Sequence, residues 1–158
     1  MLLAKRIPAR WSVAFAMLIV LFVAACGSSG PTTVSTTGAI KVINVVAAEN
    51  FYGDIIKQLG GSHVVVTSIL TDPNVDPHEY EANVQDVKAI SNANLVIKNG
   101  DGYDAWIDKL LSSSPNASRI VLTAADIADH KLPDNPHVWY GIDNVQTLAQ
   151  SFTKTLKK

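Results

Sequence analysis

Two histidines in this sequence each follow a proline directly, in Asp76-Pro77-His78 and in Asn135-Pro136-His137. A neutral imidazole offers one ring nitrogen to a transition metal while a hydrogen bond to the other fixes its tautomer and orientation. The proline ahead of each histidine stiffens the backbone that carries the ring. Taken singly, each also reads as an ordinary loop histidine. Two of the same design, both in loops that follow strands, point together to one metal site, and His78 and His137 are its candidate ligands.

The surrounding residues narrow the chemistry. Asp72, Asn74 and Asp76 imitate the start of a calcium loop, but Pro77 stands where that loop needs Gly and Asn83 where it needs a bidentate Glu. Gly100-Asp101-Gly102 follows a strand-like run yet lacks the third glycine of a dinucleotide fingerprint. His63, just after Gly60-Gly61-Ser62, reads as a strand-edge residue, and His130, in Asp129-His130-Lys131, as a solvated surface residue. Asn116-Ala117-Ser118 fits a glycosylation sequon but adds nothing to the site.

The elements that must position these loops follow from hydrophobic pattern. Lys41 to Ala47, His63 to Leu70, Asn94 to Lys98 and Arg119 to Thr123 are β-branched runs of the kind found in strands buried on both faces. Between them, Phe51, Ile55 and Leu59 predict one helical face, ended by Gly60-Gly61. Val84, Val87 and Ile90 predict a second helix, with Asn83 as its N-cap and Asp86 three positions on. Trp106, Leu110 and Leu111 predict a third, opened by Asp104. The fold class is therefore α/β: a Rossmann-like lobe with a four-stranded, mainly parallel sheet flanked by helices. Ligands of such sheets gather beyond the carboxyl ends of the strands, where both Pro-His loops lie. From about Asp143 a last helix carries Val145, Leu148, Ala149, Phe152 and Leu156 on one stripe. Part of that stripe, including Val145, Phe152 and Leu156, is expected to be exposed or loosely packed.

The first twenty-five residues belong to a different argument. Lys5, Arg6 and Arg10 precede an apolar run from Trp11 to Ala25 broken only by Ser12, which reads as a secretory signal over residues 1–25. The run is shorter than the ~20 residues of a spanning helix. Cys26 is the sole cysteine, so no internal disulfide forms. Residues 26–38 are rich in Gly, Ser and Thr and read as a flexible linker. Without the three basic residues of the signal, 10 basic residues face 14 acidic ones, and no basic patch speaks for nucleic acid.

Val23-Ala24-Ala25-Cys26 resembles a bacterial lipobox, which implies lipidation of Cys26 and a membrane hold through the N-terminal lipid. Asp76-Pro77-His78-Glu79-Tyr80-Glu81 and Asn135-Pro136-His137-Val138-Trp139 resemble the two N-lobe motifs of the zinc/manganese substrate-binding lipoproteins of ABC importers. Residues 47–52 and 99–103 are similar to that family's pattern as well. The resemblance implies that His78 and His137 ligate Zn²⁺ or Mn²⁺ as a transported ion, that the partner is an ABC permease, and that no catalysis is involved. It implies an N-terminal metal-binding lobe over 39–142 and the start of an inter-lobe helix over 143–158, with the C-terminal lobe and its ligands absent from a truncated chain. The acidic, histidine-rich insertion of many zinc-specific members is missing, which tilts the expectation slightly towards manganese. Two other readings stay open. One is a surface adhesin or structural lipoprotein with incidental histidines. The other is a metal-dependent hydrolase with Glu79 as base, although only two ligands and no nucleophile–base pair are visible.

Overall fold

The computed structural model describes residues 41–129 and 135–157. The signal expected at 1–25, Cys26, the linker expected at 26–38 and His130 lie outside the described residues. Four strands, β1 (Ile43–Glu49), β2 (Val64–Leu70), β3 (Leu95–Lys98) and β4 (Ile120–Thr123), form one sheet in the order β2-β1-β3-β4. Every pairing is parallel; Val45, for example, pairs with Val66 on one side and Leu95 on the other. Helices α1 (Asn50–Gly60), α2 (Val84–Asn92), α3 (Ala105–Ser113), α4 (Ala124–Ile127) and α5 (Ile142–Leu156) connect or follow the strands. Single 3₁₀ turns stand at Gly61–His63, Pro77–Glu79 and Val138–Tyr140. Among the described residues no helix is long and apolar enough to cross a membrane.

Alternation along the central strands sends side chains into two separate cores. Val45, Ala47, Leu95 and Ile97 face α1, α4 and α5, packing with Tyr52, Ile56, Leu148 and Phe152. Val46, Ala48 and Val96 face α2 and α3, packing with Ile90, Trp106, Ile107 and Leu110. Continuous apolar runs were expected for strands covered on both faces, and β1 and β3 carry them for that reason. The sheet order reverses between β1 and β3, so their carboxyl ends frame the crevice in which ligands of such folds sit.

Several helix details differ from the sequence pattern. In α1 the buried stripe is Tyr52, Gly53, Ile56 and Gly60, one position from the expected face, while Leu59 is 46% exposed. Phe51 leaves that stripe to stack on Trp139, their ring centroids 4.2 Å apart. Gly61 ends α1 as expected, at φ +50°, where a Cβ costs energy. The capping box of Asn83 and Asp86 on α2 is present, but Val84 is 79% exposed and only Ile90 and Asp86 of that helix are buried. Asp104 precedes α3 without capping it. On α5, Phe152 is fully buried, against the expectation of exposure or loose packing, because it enters the core formed with β1 and β3. Val145 and Leu156 are half-buried.

Candidate metal-binding edge

Both candidate histidines sit on the same local device. In Asp76-Pro77-His78 the Asp76 Oδ1 accepts from the His78 backbone N–H at 2.9 Å. In Asn135-Pro136-His137 the Asn135 Oδ1 accepts from the His137 N–H at 3.3 Å. An Asx side chain bonding two residues on makes a turn that mimics a backbone turn, and the intervening proline fixes its φ. Asp72 does the same for Asn74, which explains the calcium-like acids of this loop as turn formers.

The ring nitrogens are assigned by their neighbours. His78 Nδ1 lies 3.3 Å from the carbonyl oxygen of Gly102, which can only accept, so the proton sits on Nδ1. His137 Nδ1 lies 2.8 Å from Asn135 Oδ1 and donates in the same way. Nδ1 is thus the nitrogen engaged in each ring, Nε2 is the one turned away from these bonds, and both histidines are exposed. The two rings flank Tyr103, with centroids 5.1 Å and 5.7 Å from its own. Tyr103 is buried and its hydroxyl is pushed up to about 12 by burial and then by the charge of Glu49, so it stays a neutral phenol. Among the described residues no group of three or more His, Cys, Asp or Glu side chains is placed to hold a metal ion.

A cleft of about 240 Å³ opens beside the pair, lined by Glu49, Phe51, Leu70, Asp72, Pro77, Tyr103 and Trp139 among others. Glu49, the last residue of β1, is 1% exposed, and its carboxyl lies beside that of Asp104. Burial, and then the neighbouring Asp104 carboxyl, raise it to about 9, so it holds its proton at neutral pH. Burial raises Asp104 as well, against the backbone amides it accepts from.

His63 is exposed in the 3₁₀ turn ahead of β2, at the opposite, amino end of the sheet, and takes no part. The residues that sequence reasoning did not single out for the site are Glu49 and Asn99. Glu49 ends an apolar run, and its only hint is that it lies in the stretch 47–52 already noted for its resemblance. Asn99 stands between a strand and Gly100, and the only hint was that it opens the stretch 99–103 already noted for its resemblance.

The family model described as zinc-uptake complex component A, periplasmic, matches residues 45–158. The chain belongs to that family. It is similar to the manganese ABC transporter substrate-binding lipoprotein of Streptococcus gordonii, 31% identical over 89% of this chain and 49% of the relative. The metal ABC transporter substrate-binding lipoprotein of Streptococcus cristatus is 30% identical over 90% of this chain and 49% of its own length. The chain thus spans about half the length of the curated relatives it matches. The periplasmic zinc-binding protein of Treponema pallidum shares the fold, with a TM-score of 0.62 at 24% identity, over 73% of this chain and 43% of that one.

Proposed function

We propose that this chain captures a divalent transition metal, zinc or manganese, outside the cell membrane and passes it to an ABC permease. In this reading residues 39–142 are the N-terminal metal-binding lobe, 143–158 begin the inter-lobe helix, and residues 1–25 direct export. Cys26 carries the lipid that holds the protein at the membrane, with 26–38 as its tether. His78 and His137 are metal ligands through Nε2, and the carboxylates of a second lobe complete the shell. The cargo is carried without covalent chemistry.

One observation carries the reading. Two Asx-Pro-His turns meet at one sheet edge on either side of Tyr103, each ring engaged through Nδ1 with Nε2 turned away from that bond. A metal-ligating histidine needs that arrangement, because the hydrogen bond at the far nitrogen fixes tautomer and direction. Family membership supports the same reading, and relatives named for manganese and for zinc share its fold or sequence. Imidazole suits zinc well, and zinc outranks manganese at most nitrogen and oxygen sites, so preference between them rests on geometry and supply.

Isothermal titration of the full chain with Zn²⁺ and Mn²⁺ tests it. His78→Ala and His137→Ala each remove most of the affinity, and His63→Ala leaves it unchanged. Parent-like zinc binding by both of the first two variants would sink the assignment.

A further inference from the structure

Asn99 follows β3 directly and is fully buried. Every polar atom it has is engaged. Its backbone N–H donates to Asp104 Oδ2 at 2.6 Å, and its carbonyl accepts from the Ala125 N–H at 3.0 Å. Its Oδ1 accepts from the Tyr52 hydroxyl at 2.6 Å, and its Nδ2 donates to the carbonyls of Gly100 at 2.9 Å and Pro136 at 2.8 Å. Burying a full set of donors and acceptors without partners is costly, so a saturated amide in the interior holds one geometry.

These bonds lead to both histidines. Pro136 is the residue before His137, so the Asn99 amide grips the backbone of that turn. Gly102, whose carbonyl accepts a hydrogen bond from His78 Nδ1, and Tyr103, which separates the rings, lie three and four residues beyond Asn99. The loop between them is set by left-handed backbone at Gly100, Asp101 and Gly102, with φ of +80°, +52° and +78°. The Asp104 carboxylate closes the loop by also accepting from the Gly100 N–H at 2.8 Å. Glu49 packs behind Asp104.

We propose that Asn99 is the positioning residue of the site: through Pro136 and the 99–104 loop it sets the spacing of His137 and His78 without touching the ion. This rests on the metal-capture reading above, and extends it to a residue that neither motif contains. Outer partners of metal ligands are worth roughly 10–100-fold in affinity. Asn99 acts one step further back, through backbone, so an effect of about tenfold is expected.

The test uses the full chain carrying Asn99→Ala, which deletes the whole amide, and Tyr52→Phe, which keeps the ring and frees Asn99 Oδ1. Two readouts are taken: zinc affinity by titration, and the ring ¹⁵N shifts of His137, His78 and His63 in metal-free protein. Expected are about a tenfold loss of zinc affinity and moved ring shifts at His137, smaller at His78 and absent at His63, in Asn99→Ala. Tyr52→Phe moves the same shifts in the same order by less, and it decides the matter if Asn99→Ala does not fold. Parent-like His137 shifts and zinc affinity in the folded variants overturn the proposal. Failure of the parent to bind zinc overturns the metal reading instead, because the metal-free shifts report Asn99's hold on His137 independently.

Discussion

The loops that carry His78 and His137 begin with the same turn and are fastened in opposite layers. In both, the proline carbonyl accepts a hydrogen bond from a distant side chain. For Pro77 the donor is the Trp106 indole of α3 at 3.1 Å; for Pro136 it is the Asn99 amide at 2.8 Å. The first loop continues into Tyr80, whose hydroxyl donates to Asp86 of α2 at 2.8 Å and whose ring packs on Trp106, all on the α2–α3 face. The second continues into Val138 and Trp139, which pack on the α1–α5 face, with Asn144 of α5 donating to the Val138 carbonyl. A repeated local motif thus fixes how each ring leaves the backbone. Which layer holds it is decided elsewhere in the chain, and the edge between β1 and β3 is where the two layers can present side chains to one point.

This asymmetry can be probed by pH first. Glu49 binds its proton up to about 9 in the folded chain, whereas an unfolded glutamate releases it near 4.5. Its folded value is raised, so the unfolded state loses protons first. Its contribution is therefore complete below about 4.5 and is lost as pH rises towards about 9, with a slope of at most about 1.4 kcal/mol per unit. Denaturant unfolding of the parent from pH 5 to 9 should show that decline, and Glu49→Gln should flatten it and stabilise the protein at pH 8. A parent curve no steeper than the variant's would show that Glu49 is already ionised. Gly100→Ala comes next. Its new Cβ would stand 2.4 Å from Thr123 Cγ2, at a φ of +80°. Roughly 2–4 kcal/mol should be lost, and both histidine rings should shift. The smallest effects separate the layers: Trp106→Phe and Asn144→Ala each remove one bond and should cost about 1–2 kcal/mol. Ring shifts should move at His78 alone in the first and at His137 alone in the second; crossed or shared responses would mean that the loops are one unit.

Much of this was legible beforehand. The four β-branched runs mark all four strands within two residues at either end, because central parallel strands need apolar residues on both faces. The two Asx-Pro-His turns are equally local, and their rings were expected at a common edge. Periodicity failed where side chains answer to distant partners. Phe51 and Tyr52 exchange the expected roles on α1 because Trp139 and Asn99 claim them. Asp104 reads as a helix cap but turns back to the amides of Asn99 and Gly100. Phe152 was read as exposed or loosely packed because the pattern of α5 does not reveal how deep the sheet's first core reaches. The bonds of Asn99 to Tyr52 and Pro136 cross 47 and 37 residues, and no local spacing encodes them.

The saturation of Asn99 also bears on how the protein ages. Asparagine followed by glycine is chemically fragile: the next backbone nitrogen attacks the side-chain amide, ammonia leaves a cyclic imide, and water opens that ring to an acidic residue. Here that nitrogen, on Gly100, is occupied by Asp104, while the amide itself is fastened on both sides. Folding therefore shields the bond that the loop depends on, and each excursion to the unfolded state reopens it to a slow, irreversible clock.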